Sequence, residues 1–276
     1  MVLIRKALAV PALAVALSAP AAGQTPPPAP IGIQDNSFLL EEAYNQEAGV
    51  VQTIQTFTRV SGTGDWVYAL TQEWPVPDQK NQLSATIQFL GLSGPGGSTR
   101  GFGDVQLNYR YQLVGSSEAA VAVAPRATLV IPSGSSKRGL GSGGLGLQIG
   151  LPLSVVLSRS FVSNTNLGAT ILFGAKSADG VKSDLRGGSA GQSLIWLVHP
   201  NVNVLVEAVV ATAEVFGADG APGWRTEALV SPGLRGAINL PGHLQIVPGF
   251  AVPLGVGPSH GKNAILVYLS VELPVF

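Results

Sequence analysis

Cysteine is missing from the 276 residues. Its absence excludes disulfides, thiolate zinc sites and lipid attachment through an N-terminal cysteine. Charge is sparse as well: Asp, Glu, Lys and Arg make up 12% of the chain, against about 25% in an ordinary soluble domain. Basic and acidic residues balance at 16 each, so no field draws the chain to nucleic acid. The three histidines, His199, His243 and His260, are scattered and make a poor metal site. No cofactor is expected. After residue 24 no apolar run reaches the ~20 residues that a membrane helix needs.

What the chain does have is 35 glycines and 20 prolines, the composition of many turns. Its start reads as an export signal: Arg5 and Lys6, then the apolar run 7–17, then small residues at 19–23. Pro11 and the shortness of the run argue against a membrane anchor. Cleavage after Ala21 or Gly23 would remove two basic residues and leave 14 against 16 acidic, a net −2. Domain boundaries follow: 1–23 signal peptide, 24–46 a Pro-rich leader and short periplasmic helix, 47–276 a β-domain. In 36–46, Asn36 or Ser37 could cap a helix with Leu39, Leu40, Ala43 and Tyr44 on one face. A leader without helix is the alternative.

From residue 47 a period of two takes over. Val105, Leu107, Tyr109, Tyr111 and Leu113 alternate with Asp104, Gln106, Asn108, Arg110 and Gln112. Residues 82–89 and 143–158 repeat the alternation over lengths beyond a typical globular strand of ~5–6 residues. About 12 strands can be marked, near 47–58, 65–74, 81–90, 102–113, 119–131, 143–157, 162–173, 191–199, 201–213, 224–238, 243–254 and 263–275. Only alternate residues of a membrane barrel need be apolar, so an exported yet apolar chain predicts an all-β, antiparallel, up-and-down transmembrane barrel in a bacterial outer membrane. An even strand number puts both termini in the periplasm.

The links support this reading by alternating in length. Those at 75–80, 114–118, 158–161, 200 and 239–242 are short; those at 91–101, 132–142, 174–190, 214–223 and 255–262 are longer. Only 59–64 breaks the pattern. Short periplasmic turns and longer outer loops are the habit of such barrels. Trp66, Trp74, Phe89, Phe102, Phe161, Phe173, Trp224 and Tyr268 fall near strand ends, where interfacial girdles lie. Phe276 ends the chain out of phase with the last strand.

Two catalytic patterns occur and neither has its context. Gly257-Pro258-Ser259-His260-Gly261 matches a nucleophile elbow, which needs a helix after it; a strand follows here. Gly141 to Gly146 matches G-x-G-x-x-G but also runs into a strand. Ser259 and His260 are adjacent, so in a strand they would face opposite ways, against a hydrolase of the outer-membrane phospholipase type. The remaining polar signal is the non-lipid phase of the strands: Asp104, Asn108, Arg110, Arg126, Glu207, Arg225, Glu227 and Arg235. A tight hairpin near Ser116 would set Arg126 opposite Gln106 and diagonal to Asp104 and Asn108. These residues make either a salt-bridged interior that holds the barrel shape or the lining of a conduit. Lys137, Arg138, Lys176, Lys182 and Arg186 in the long links could meet anionic surface glycolipid or serve only as solvated charge.

The run Gly101 to Leu113 (GFGDVQLNYRYQL) resembles a segment of the "MetA-pathway of phenol degradation" family. So do Ala124-Pro125-Arg126 with Ile131 to Gly134, the stretch Asp35 to Glu47, and Pro248 to Pro253. The resemblance implies an outer-membrane barrel labelled a transporter, with no catalytic residues to carry over. A barrel of this size predicts a narrow, partly plugged lumen. The expected role is therefore a passive channel or transporter for small molecules, apolar or aromatic ones included. The alternatives are a non-catalytic structural or adhesion barrel and an outer-membrane hydrolase. Expected partners are outer-membrane lipid and glycolipid, the barrel-assembly machinery and a small solute, with no nucleic acid.

Overall fold

The computed structural model describes residues 33, 35–94, 97–116, 119–217 and 219–275. The signal peptide, the Pro-rich stretch and Phe276 lie outside the described residues. Twelve antiparallel strands form one closed wall. They are β1 Val50–Val60, β2 Trp66–Trp74, β3 Asn81–Gly94, β4 Gly97–Phe102 with Val105–Tyr111, and β5 Val121–Val123 with Arg126–Ile131. Next come β6 Leu145–Ser158, β7 Phe161–Lys176, β8 Lys182–His199 and β9 Val202–Phe216. The last are β10 Pro222–Gly236, β11 Gln245–Ala251 with Leu254–Gly255, and β12 Ala264–Pro274. Each strand pairs with the next in sequence, and β1 closes on β12 from Val50↔Pro274 to Val60↔Ala264. Closure leaves no edge, as a hydrocarbon surrounding requires.

The period of two decides what faces out. Leu145, Leu147, Ile149 and Leu151 of β6, and Ile265 and Val267 of β12, are exposed on the outer wall. Gln82, Ser84 and Thr86 of β3, Asn203 and Glu207 of β9, and Arg235 of β10 are buried inside. A closed wall that is apolar outside and polar inside belongs in a bilayer. Among the described residues no helix is long and apolar enough to cross one.

Four features differ from the sequence expectation. First, the Gly/Ser-rich stretches at 91–101 and 174–190 are mostly strand. β3 and β4 continue in register to Gly94↔Gly97, and β8 pairs with β7 from Lys182↔Lys176. Small residues pair as well as large ones in an antiparallel ladder, so composition marks the rim and not the end of pairing. The contrast in link length consequently shrinks, and among the longer links only 132–144 and the one at 256–263 keep their full length. Second, residues 36–46 contain no helix. Their backbone groups bond to the barrel wall instead. Third, Arg126 lies opposite Arg110, four residues from the expected Gln106. The bend at Ala124–Pro125, between the two parts of β5, and the longer link before it move the register. Fourth, Tyr268 is an interior residue, 2% exposed, and belongs to no girdle.

Of the other expected girdle residues, Trp66, Phe89, Phe102 and Phe161 make aromatic contacts with one another or with neighbours. Phe57, Trp66, Phe89 and Phe102 form a chain across β1–β4, with successive ring centroids 5.9, 5.6 and 5.2 Å apart. Phe161 stacks on Trp196 near the other end at 6.3 Å. Gly91 permits this packing: a Cβ there would lie 2.2 Å from Trp66 Nε1.

Candidate functional site

Asn36, Ser37, Phe38 and Leu40 are buried, though they belong to no strand. They sit inside the barrel, and the inward side chains of seven or more strands hold Ile33 and residues 35–46 there. Glu207 Oε1 accepts the N–H groups of Leu39 and Leu40 at 2.9 and 3.0 Å. Asn166 takes both backbone groups of Glu41, accepting its N–H at 2.9 Å and donating to its carbonyl at 2.8 Å. Ser154 Oγ accepts from Ala43 N at 2.8 Å. Gln112 donates to Ala43 O at 2.8 Å and accepts from Asn45 N at 2.9 Å. Gln82 Oε1 accepts from Gln46 N at 2.8 Å. A buried backbone group must find a partner, and here the wall supplies what a helix would have supplied internally.

Two arginines complete the hold. Arg110, 4% exposed, donates to Asn45 Oδ1 at 2.8 Å, Glu42 O at 3.1 Å and Tyr44 O at 2.6 Å. Arg235 donates to Asp35 O at 2.7 Å, Asn36 O at 2.6 Å and Ile33 O at 3.3 Å. A guanidinium has five donors in a rigid fork and suits such clustered carbonyls. Tyr268 and Gln52 donate to Asp35 Oδ1 at 2.7 and 2.9 Å. Burial raises the Asp35 carboxyl above its ordinary range, opposed by the Arg235 charge. Burial, with the charge of Asp35 added, raises Glu42 to about 8. Burial likewise raises Tyr44 to about 12.

Arg126 differs from the other two. Its partner is Glu41, which it meets in an ion pair, and Arg110 Nη1 stands 3.9 Å from the same carboxylate. Glu41 thus separates two arginines that face each other on β4 and β5. This ion pair, with Leu39 and Leu40, borders two interior cavities of about 190 and 250 Å³. The first is lined by Gln148, Asn166, Thr170 and Ser189, the second by Thr56, Thr71, Thr86 and Asn108. On the outer wall an apolar groove of about 630 Å³ between Tyr109, Ile149 and Leu167 also reaches Arg126. Gly150 and Gly168 separate groove from lumen and belong to the lining of both.

The expected site residues therefore divide. Arg110, Arg126, Glu207 and Arg235 converge on the inserted segment. Asn108 is interior, donating to Ser84 at 3.0 Å and accepting from Thr128 at 2.7 Å. Asp104 instead clamps the link 132–144, accepting from Gly134 N at 2.9 Å and Ser142 N at 2.7 Å. Arg225 and Glu227 lie toward the rim away from the termini, where Glu227 meets Lys262 at 3.3 Å, both exposed. The residues that sequence reasoning missed are Asn166, Ser154, Gln112 and Gln82. They sit on the same polar phase but carry no charge to single them out. Ser259 is fully buried with its hydroxyl accepting from Ala228 N at 3.0 Å, and His260 is exposed. Neither is placed to activate the other.

No family profile and no curated protein sequence matches the chain. Solved structures do. An outer-membrane channel from Pseudomonas putida F1 is similar at TM-score 0.59 and 11% identity, over 83% of this chain and 97% of that one. The NanC porin is similar at 0.52 and 10% identity, over 79% and 98%. The KdgM porin is similar at 0.51 and 10% identity, over 79% and 97%. At such identities the likeness is one of fold, and that fold is the closed barrel of outer-membrane channels and porins.

Proposed function

We propose that the chain is a passive outer-membrane channel for small molecules whose lumen is stoppered by its own residues 33–46. The observation that carries this is the nature of the stopper. It is held by side-chain hydrogen bonds and the ion pairs of Glu41 with Arg126 and Arg110, with interior cavities beyond it, and it can leave without breaking a strand pairing. The apolar outer groove, parted from the lumen by Gly150 and Gly168, supports apolar or aromatic solutes, as does the resemblance to the phenol-degradation family. Asn108, Arg110, Arg126, Glu207 and Arg235 would line the vacated path, with Asp104, Arg225 and Glu227 toward its outer mouth. The exposed Lys137, Lys182 and Arg186 support contact with anionic surface glycolipid.

A structural barrel riveted by the same segment is the competing reading. Planar-bilayer recordings separate the two. The full chain is expected to pass small, intermittent currents, and Glu207→Ala larger and longer ones. Silence in both, with no solute uptake into proteoliposomes, would leave the structural role.

A further inference from the structure

The lumen is not polar all round. Ile54 on β1, Ile195 and Leu197 on β8, Leu205 on β9, Val247 on β11 and Leu266 on β12 are buried on the inward phase. A polar conduit has no use for such an arc. In its middle sits Phe38, 7% exposed. Its ring lies 5.3 Å from that of Tyr268, tilted by 56°, a favourable aromatic geometry. Two glycines make the room. A Cβ at Gly233 would lie 2.5 Å from Phe38 Cε2, and one at Gly249 2.4 Å from Phe38 Cε1. Gly249 is paired with Tyr268 and Gly233 with Ala251. Two adjacent strands, β10 and β11, thus give up side-chain volume at neighbouring inward positions, with Tyr268 of β12 beside them, and the hollow left is filled by the one phenyl ring of Phe38.

We infer that this hollow is a binding site for monoaromatic solutes, and that Phe38 occupies it as a built-in competitor. The inference rests on the channel reading, because the segment must withdraw before a solute passes. Once it withdraws, the wall presents an apolar slot with the Tyr268 ring at its side and its hydroxyl free of Asp35. A benzene-type ring with at most one small polar substituent fits there. An aliphatic chain leaves the slot partly empty, and a sugar leaves its hydroxyls unpaired. Solute and Phe38 cannot share the hollow, so binding and release of the stopper are linked.

Phe38→Ala vacates the hollow without altering the barrel, and Gly249→Val in that background refills it from the wall. Binding of 4-fluorotoluene to full-length protein in detergent is followed by fluorine NMR, with heat-modifiable gel mobility reporting a folded barrel. Phe38→Ala is expected to bind at least about tenfold tighter than wild type, and Phe38→Ala/Gly249→Val to fall back to the wild-type level. In wild type, toluene should expose residues 35–46 to protease, and cyclohexane should do so less. Equal binding by the three proteins, together with protease protection indifferent to toluene, overturns the inference. If Phe38→Ala does not fold, Phe38→Leu and the wild-type protease experiment decide it. Currents are recorded in parallel: conduction without the binding differences sinks the hollow alone, whereas a barrel silent in every variant sinks the channel reading.

Discussion

Glu207 shows how much one interior side chain carries. One of its oxygens accepts two successive N–H groups, from Leu39 and Leu40, on a segment with no regular structure. Glu207→Ala leaves two buried donors unpaired at about 1–3 kcal/mol each. The expected result is faster proteolysis within 35–46 with an unchanged barrel band on a gel. Glu42 gives the segment a pH response. It adjoins an apolar pocket of Tyr44, Val156, Ile195 and Leu197, and burial raises its carboxyl from 4.5 to about 8. The inserted state therefore prefers the protonated acid. Its advantage is complete below about pH 4.5 and is lost as pH rises toward 8. Asp35 shifts in the same direction. Protease sensitivity of the segment should thus climb between pH 5 and 8, and Glu42→Gln should flatten most of that climb. A climb unchanged by Glu42→Gln would assign it elsewhere. Parity alone put Glu207, Arg110 and Arg235 on the inner face. What they hold could not be read, because residues 35–46 have no period and their partners are spread from Gln52 to Tyr268.

At the scale of elements, alternation located all twelve strands to within a few residues at most ends. The larger errors fell where glycine and serine continue a strand, as in the first half of β8. The helix expected over 36–46 failed for a related reason. A short isolated helix is marginal, and here Phe38, Leu40 and the Ala43–Tyr44 pair each pack against a different part of the wall. Phe38 enters the notch at Gly233 and Gly249, Leu40 packs where a Cβ at Gly191 would stand 2.5 Å away, and Ala43 and Tyr44 meet Ala122 and Ala124. The long link 132–144 is fixed rather than loose. Asp104 holds two of its N–H groups, Leu140 is buried within it, and Arg138 donates to Arg100 O at 2.7 Å. This accounts physically for the Gly-Asp and Pro-Ser-Gly residues behind the family resemblance: they are the two halves of one clamp. Asp104→Ala should free the link to protease and cost the barrel about 1–3 kcal/mol. Protease protection equal to wild type would show that Leu140 alone fixes it.

For the molecule as a whole, the wall and the stopper are separable in stability. The wall is a continuous ladder, closed from Val50↔Pro274 to Val60↔Ala264. The stopper is held by side chains and carries a cost: Asp35 Oδ2, Asn203 Oδ1, Glu207 Oε2, Ser231 Oγ and Arg235 Nε are buried with no hydrogen-bond partner among the described residues. Each such atom costs about 1–3 kcal/mol, and withdrawal returns it to water. The inserted state is thus favoured by a modest difference between many bonds and this opposing cost, which suits a part that must move. Arg110 and Arg235 anchor opposite ends of the segment through separate carbonyls, so their contributions should add. Either alanine variant should raise the conducting fraction in bilayer recordings, and Arg110→Ala/Arg235→Ala should raise it by about the product of the two factors. The melting temperature of the barrel should move little in all three. Loss of the barrel band in the double variant would mean that the segment is part of the wall's own stability. A conducting fraction no higher than that of wild type would mean that something other than residues 33–46 closes the lumen.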